Sequence, residues 1–317
     1  MKILYVTDFE QIALCSGGYI SDYLNDLTFH GLKKLYGKDV TAFIPPVHMY
    51  KENKNGAVDH LFSSKNMEKH FWGGMTFPYL LDKDYDERVF GSAIDRTEYF
   101  DEMRDRIENQ EFDLIIYGNF RRCIHMFDIV QKIYPKEKVA LLDGNDDTQM
   151  AEIVQDGYLY FKRELQDYTN LPSNIKPITF SYPKEHLSEV NKSKTQKKGT
   201  VIPGDKSTYI FKDEKSYYDD YNKSYFGITE KKAGWDCMRH YEIMGNYCLP
   251  YFPDLMYCPK NTLFNFPKDL IMEGNKLMDN FDKWEYFRIL DEMFEYFKNN
   301  LTTEAVAQDL INRINEE

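Results

Sequence analysis

The segment Thr229–Pro253 combines cationic, aromatic and acidic side chains around one predicted loop and helix. The residues that could carry its chemistry are Lys231, Lys232, Trp235, Asp236, Arg239 and Glu242. The sequence predicts a strand (YFGIT), a loop (EKKAG), a helix (WDCMRHYEIMGN) and a second strand (YCLPYFP). A helix that follows a strand exposes unpaired backbone N–H groups at its first turn, and these favour anions. Together with the cations, the pattern predicts a site for a phosphate-bearing ligand.

Arg239 and Glu242 lie three residues apart and therefore share one face of the predicted helix. One interpretation is a surface ion pair, worth roughly a few tenths of a kcal/mol. The other is functional: Arg239 binds a diphosphate, and the Glu242 carboxylate accepts hydrogen bonds from two ribose hydroxyls. The helix lies between an anion-binding loop and a buried strand, which favours the functional interpretation.

Carboxylates also follow two strands predicted in the first half of the chain. Asp8 ends the strand KILYVTDF, and Asp143 and Asp146 lie at and just after the end of KVALLD. Since ligands of parallel sheets bind at the carboxyl ends of strands, Asp8 or Asp143 is a candidate general base for an acceptor hydroxyl. A turn rich in Asp and Asn without a function has the same composition, so that alternative stays open. Gly17 and Gly18 predict close approach of the backbone to a ligand on this acceptor side, with an ordinary turn as the alternative.

Several common motifs are absent from the sequence. It has no GxGxxG dinucleotide fingerprint, no GxxxxGK[ST] phosphate loop, no HExxH, no Cys/His cluster with metal-ligand spacing and no GxSxG elbow. These absences disfavour dehydrogenases, P-loop NTPases, metalloproteases and α/β-hydrolases. They leave a metal site and a dinucleotide cofactor without support in the sequence.

Composition limits the remaining classes. The chain has 317 residues, which fits two domains, and 42% of them are hydrophobic. The net charge of −12 disfavours binding to nucleic acid. Five cysteines without a CxxC pair indicate a reducing compartment, and no apolar run is long enough to span a membrane. A cytoplasmic protein without a transmembrane segment or signal peptide is expected.

Short apolar runs alternate with helical patterns over the first 150 residues. The runs ILYV, VTAFI, LIIY and VALLD predict buried parallel strands. A helix is expected after residues 143–148, and the polar run NKSKTQKKG is expected to be a solvated linker. Near the C-terminus, Trp284, Leu290 and Phe297 belong to an apolar stripe of an amphipathic helix that predicts a packing surface.

The helix and strand RHYEIMGNYCLP, from Arg239 to Pro250, resemble the donor-site element of GT-B glycosyltransferases, in which a Glu binds the ribose of a nucleotide sugar. The resemblance implies an α/β fold with two Rossmann-like domains whose parallel sheets face a central cleft, and C-terminal helices that cross back to the first domain. We expect an acceptor domain at 1–170, a nucleotide-sugar domain at 171–290 and the returning helices at 291–317.

The resemblance also implies a function. The expected activity is metal-independent transfer of a hexosyl or pentosyl group from a UDP- or GDP-sugar to a hydroxyl of a glycan or other acceptor. No cofactor is expected, because the nucleotide sugar is a substrate. Glu242 would hold the ribose. Many retaining members carry a second Glu where this chain has Gly234, so the phosphate contacts would be made by Lys232, Trp235 and Arg239. Two alternatives remain: a nucleotide-sugar epimerase or hydrolase of the same fold, and a catalytically silent nucleotide-binding module.

Overall fold

The computed structural model describes residues 1–7, 22–43, 46–52, 77–85 and 96–316. The first half contributes β1 (Ile3–Val6), α1 (Tyr23–Tyr36), β2 (Val40–Ala42), α2 (Arg96–Glu108), β3 (Leu114–Tyr117), α3 (Phe127–Ile133), β4 (Val139–Asp143), β5 (Leu159–Lys162) and β6 (Ile175–Pro177). The second half contributes β7 (Gln196–Lys198), α4 (Glu214–Lys223), β8 (Ser224–Ile228), α5 (Met238–Gly245), β9 (Leu249–Tyr251), α6 (Lys268–Asn275), α7 (Lys283–Asn300) and α8 (Thr303–Asn315). The predicted α/β class is confirmed.

Six parallel strands form the larger sheet, in the order β2-β1-β3-β4-β5-β6. Every residue of β1, β3, β4 and β5 is buried, as expected for parallel strands with covered faces. β2 lies on one side of β1 and β3 lies on the other, so the direction in which the sheet grows reverses there. Such a reversal leaves a crevice at the carboxyl ends of β1 and β3, where ligands of open α/β sheets bind.

Three parallel strands form the smaller sheet, in the order β7-β8-β9. The predicted strand–loop–helix–strand unit is confirmed as β8, α5 and β9. One apolar core contains Tyr5 of β1 and Ile116 of β3 together with Phe226 of β8 and Leu249 of β9. The two sheets therefore share a continuous core.

The C-terminal helix α8 packs against α1 of the larger sheet. His30 Nδ1 and Thr303 Oγ1 are 2.9 Å apart. A Cβ atom on Gly31 would lie 2.1 Å from the Thr303 carbonyl oxygen, so glycine allows the two helices to approach. This contact places the end of the chain against its N-terminal half.

Three sequence-based expectations about local structure are wrong. The run NKSKTQKKG contains β7, an edge strand that needs only backbone pairing with β8 and no apolar side chains. Residues after 148 form a 3₁₀ turn, Glu152–Asp156, and then β5, a short apolar strand, instead of a helix. Trp284 lies in the first turn of α7 and is 75% exposed, whereas Leu290 and Phe297 of the same stripe are buried.

Candidate functional site

Helix α5 holds Arg239 and Glu242 beside the carboxyl end of β8. Only 6% of Arg239 and 7% of Glu242 is exposed. Within the described part of the chain they form no ion pair with each other, and each contacts tyrosine hydroxyls instead. The geometry therefore differs from a surface ion pair. We call this set the Arg239 cluster; its members are Arg239, Glu242, Tyr209, Tyr217 and Tyr218.

The Arg239 guanidinium has more donors than partners. Nη2 donates to the Tyr209 hydroxyl at 2.7 Å. Nε and Nη1 are buried, and neither has a hydrogen-bond acceptor among the described residues. Burying a guanidinium N–H without an acceptor costs free energy, so this arrangement is complementary to an anion that brings oxygen atoms.

The Glu242 carboxylate accepts one hydrogen bond at each oxygen. Tyr217 donates to Oε2 at 3.1 Å, and Tyr218 donates to Oε1 at 3.3 Å. Burial raises the pKa of Glu242, while Arg239, the two tyrosine hydroxyls and Lys232 oppose that shift. Each carboxylate oxygen retains further acceptor capacity for ligand hydroxyls.

Lys231, Lys232 and Trp235 lie on the loop that leads into α5. Both lysines are exposed, and Trp235 is partly buried. The Lys231 ammonium lies 5.8 Å from the centre of the Trp235 ring, within the range of a cation–π contact. Lys232 adds positive potential at Glu242 and at Cys237. The two predicted lysines therefore lie just before the first turn of α5, and both are exposed to solvent.

His240 holds this loop in place. Its Nε2 donates to the Trp235 carbonyl oxygen at 2.8 Å, and its Nδ1 accepts from the Thr229 hydroxyl at 2.8 Å. Burial lowers the pKa of His240 to about 3, so the ring stays neutral. The residue therefore packs inside the protein and positions the loop.

An internal carboxylate binds two backbone N–H groups of the loop. Glu164 accepts from Trp235 N and from Asp236 N, both at 2.9 Å. A Cβ atom on Gly234 would lie 2.4 Å from Glu164 Oε1, so this contact requires glycine at position 234. The sequence predicts a phosphate-bearing ligand for this loop, whereas in the structure a carboxylate of the protein itself accepts from these two N–H groups.

Arg163 links the end of the larger sheet to the same loop. Its guanidinium donates to Glu164 Oε1 at 3.0 Å, to the Gly144 carbonyl at 3.0 Å, and to the Asp236 carbonyl and Asp146 Oδ1. It also lies 4.4 Å from the centre of the Phe180 ring. We call Arg163, Glu164, Asp146 and Asp236 the Arg163 network. It brings the predicted residues Asp146 and Asp236 together.

Asp236 is a buried carboxyl group in this network. Its Oδ2 accepts from the Phe180 backbone N–H at 2.9 Å. Burial raises its pKa to about 7, although the Arg163 guanidinium favours the charged form. The group therefore titrates near neutral pH.

Asp143 is held at the end of β4 by several partners. Lys162 Nζ lies 3.1 Å from Oδ2, and both side chains are fully buried. The Tyr160 hydroxyl also donates to Oδ2, and Asn145 N donates to Oδ1 at 3.0 Å. These contacts pair the charge of Asp143 within the protein. The other catalytic candidate, Asp8, lies outside the described residues, as do Gly17 and Gly18.

Sequence reasoning missed the residues that organise both clusters. Arg163 and Glu164 belong to a charged run that directly follows the apolar run LYF. This change from apolar to charged residues was the one sequence feature that could have indicated them. Tyr217 and Tyr218 belong to α4, and nothing in their spacing pointed to Glu242. Tyr209 comes from a separate loop. Contacts across 24 to 30 positions of sequence separation depend on the fold.

A comparison with models of known protein families finds no match, and a search of curated proteins finds no significantly similar sequence. Among the described residues, no helix combines the length and apolar character needed to cross a membrane.

Proposed function

We propose that this protein is a glycosyltransferase that moves a sugar from a nucleotide-sugar donor to an acceptor hydroxyl. The observation that carries the proposal is the buried Arg239 guanidinium, whose Nε and Nη1 have no acceptor among the described residues. It lies in the first turn of α5, where helix N–H groups also favour negative charge. A phosphate of the donor satisfies both donors.

Glu242 supplies the second half of donor recognition. It lies one helical turn after Arg239 and is buried between Tyr217 and Tyr218. The remaining lone pairs of its carboxylate suit the two hydroxyls of a ribose. A cation and a carboxylate one turn apart match a ligand that carries phosphate next to a sugar.

The chemistry of transfer explains why cations are needed here. As the sugar–phosphate bond breaks, negative charge grows on the departing nucleoside diphosphate. Arg239 and the Lys232 ammonium stabilise that charge, and the preorganised site makes their effect larger than in water. The acceptor hydroxyl attacks the anomeric carbon and loses its proton to a base. Asp8 remains a candidate for this base; Asp143 would first have to release Lys162.

The decisive experiment compares two arginines of the same chain. Binding of UDP-glucose, UDP-galactose, GDP-mannose and the free diphosphates is measured by calorimetry for the wild type, Arg239→Gln and Arg288→Gln. Arg288 is a control because it forms ion pairs on the exposed side of α7. Loss of Arg239 should weaken binding by roughly 30-fold or more, since breaking a buried charge contact costs about 2–5 kcal/mol. The control should bind like the wild type.

Equal affinity of the Arg239→Gln variant and the wild type would contradict the proposal, as would absence of binding by every nucleotide tested. Product analysis with the nucleotide sugar that binds then separates the three functions. Transfer to an added glycan supports the proposal. Release or isomerisation of the sugar without an acceptor identifies a hydrolase or epimerase, and binding without turnover identifies a silent module.

A further inference from the structure

A second polar cluster lies at the crevice between β1 and β3. Asp22 is the N-cap of α1, Asn25 lies in the first turn of that helix, and Asn119 follows β3. We call these three residues the switch-point cluster. None of them belongs to the Arg239 cluster or to the Arg163 network. The sheet reverses its growth direction at this point, and that topology leaves room for a ligand.

Internal hydrogen bonds orient both amides. Asn119 Nδ2 donates to Asp22 Oδ2, and Asn25 Nδ2 donates to Asp26 Oδ1 at 3.1 Å. Asp22 Oδ1 accepts from Asn25 N at 3.1 Å and thereby caps the helix. Because each amide NH₂ already has a carboxylate acceptor, the positions of the two amide oxygens are determined.

Within the described residues, these two amide oxygens receive no hydrogen bond. Asn25 Oδ1 and Asn119 Oδ1 are buried, and neither has a hydrogen-bond partner among the described residues. Only 6% of Asn25 and 5% of Asn119 is exposed. Buried side-chain oxygens are almost always paired, so two of them in adjoining residues of one crevice indicate a missing donor-bearing group.

The backbone at Gly118 lies close to one of these oxygens, Asn25 Oδ1. A Cβ atom on Gly118 would lie 2.1 Å from Asn25 Oδ1 and 2.4 Å from the Tyr5 hydroxyl oxygen. Glycine therefore allows Asn25 to approach the carboxyl end of β3. The Tyr5 hydroxyl donates to the Asn25 carbonyl at 2.8 Å and fixes the start of α1.

The cluster presents acceptors and therefore suits a ligand that brings donors. Hydroxyls and ammonium groups are the two common choices. Burial raises the pKa of Asp22; the positive charge of Arg122 opposes that shift and the negative charge of Asp26 adds to it. A cation would lose its hydration on entering this buried cluster, whereas neutral hydroxyls meet the same acceptors at a smaller desolvation cost.

We propose that the switch-point cluster binds hydroxyl groups of a neutral polyhydroxylated ligand such as a glycoside, through Asp22 Oδ2, Asn25 Oδ1 and Asn119 Oδ1. This site is distinct from the nucleotide site on α5. The proposal that this site binds a glycoside does not depend on the glycosyltransferase function proposed above. Its identification as the acceptor site of the transfer reaction does depend on that function.

The test uses methyl glycosides without any nucleotide. Saturation-transfer NMR and titration are performed with methyl α- and β-glucoside, galactoside and mannoside, and with glucosamine as a cationic comparison. The Asp22→Asn variant keeps an oxygen to cap α1 but places an NH₂ group opposite the Asn119 amide. That amide then turns over to pair with it, so that its NH₂ replaces Oδ1 in the crevice.

At least one methyl glycoside should bind the wild type, and the Asp22→Asn variant should bind it at least about tenfold more weakly, as expected when a charge-assisted hydrogen bond is lost. The matched control is Asp282→Asn, the same change at the exposed N-cap of α7. It should bind like the wild type. The Asn119→Ala variant removes one amide oxygen, keeps the hydrogen bond from Asn25 N to Asp22 Oδ1 that caps the helix, and should also bind more weakly.

Circular dichroism and thermal unfolding check that each variant is folded; if Asp22→Asn is not, Asn119→Ala decides the question. No binding of any methyl glycoside to the wild type would overturn the proposal, as would unchanged binding by the folded cluster variants or binding of glucosamine alone. A result here is independent of Arg239: glycoside binding without nucleotide binding would reject the proposed donor site and keep this one.

Discussion

Two buried arginines, Arg163 and Arg239, lie near the loop after β8: Arg163 contacts the loop, and Arg239 is in the helix that follows it. They differ in the acceptors that their guanidinium groups find. Arg163 donates to the carboxylates of Glu164 and Asp146 and to two backbone carbonyls. Arg239 has one partner, the Tyr209 hydroxyl, and two buried N–H groups without an acceptor in the described residues. Among the described residues, Arg163 thus finds acceptors in the protein, whereas Arg239 leaves two N–H groups without one.

The difference separates a structural role from a binding role. A buried ion pair with all its hydrogen bonds made positions the groups around it, and here Arg163 and Glu164 hold the loop that precedes α5. A buried cation with free donors lowers the stability of the protein alone and becomes favourable when an anion binds. At this loop the internal carboxylate of Glu164 accepts from two N–H groups, and an external anion at Arg239 is part of the proposed function.

The largest expected effect is on stability and comes from Arg163. In the Arg163→Met variant, Glu164 loses its buried cation and the Asp236 carbonyl loses a donor. The free energy of unfolding should fall by about 3–5 kcal/mol, because breaking a buried pair leaves an uncompensated charge. Urea denaturation measures it. Arg288→Met removes exposed ion pairs and should cost about 1 kcal/mol or less; similar losses in the two variants would contradict the structural role.

The next effect depends on pH and on Asp236. Its pKa is raised to about 7 in the folded protein, so the folded state keeps this proton while the unfolded state releases it near pH 4. The stabilising contribution is complete below pH 4 and is lost as pH rises through 7, by up to about 4 kcal/mol. Urea denaturation between pH 4 and 8 should show a weaker decline for Asp236→Asn than for the wild type. Parallel pH profiles would contradict the prediction.

The smallest effect on stability is expected for Arg239. Replacing it by Met removes a buried cation that has no carboxylate partner, and Glu242 keeps its two tyrosine donors. The free energy of unfolding of the Arg239→Met variant should change by less than about 1 kcal/mol, because an apolar side chain of similar volume avoids the cost of burying the charge. Urea denaturation beside the Arg163→Met variant makes the contrast direct. A loss as large as that of Arg163→Met would show that the two arginines have the same role.

Much of the architecture follows from local patterns. The runs ILYV, LIIY and VALLD are short, apolar and free of alternation, which identifies strands buried on both faces. β5 and β7 were missed for opposite reasons. β5 is a short run that follows an Asp-rich turn, and a helix was expected there. β7 is a polar edge strand that pairs with β8 through its backbone alone, so it has no apolar pattern. Trp284 was expected to be part of the packed stripe but is exposed, because periodicity predicts which face of a helix is apolar and not how far along the helix that face stays buried.

The candidate site was predictable in part. The types and spacing of Arg239 and Glu242 on one helix were sufficient to select them, because a helix places residues three apart on one face. Their burial and lack of mutual pairing were not predictable, since both depend on tyrosines of α4 and of the loop before it. Asp143 illustrates the reverse case. Its position at a strand end suggested a base, but Lys162 on the neighbouring strand pairs with it.

Periodicity and motif are local properties, so the amino-acid order was enough to establish the α/β class and the unit formed by β8, α5 and β9, and to predict an anion site at the loop between them. Which carboxylate pairs with which cation depends on how the fold brings together segments that are far apart in the sequence. Glu164 reaches the loop at Trp235 across 71 positions, and Asn119 reaches Asp22 across 97. Only the folded chain could therefore show that, among the described residues, Arg239 has donors without an acceptor where Arg163 has its acceptors, and that Asn25 and Asn119 hold oxygens without a donor.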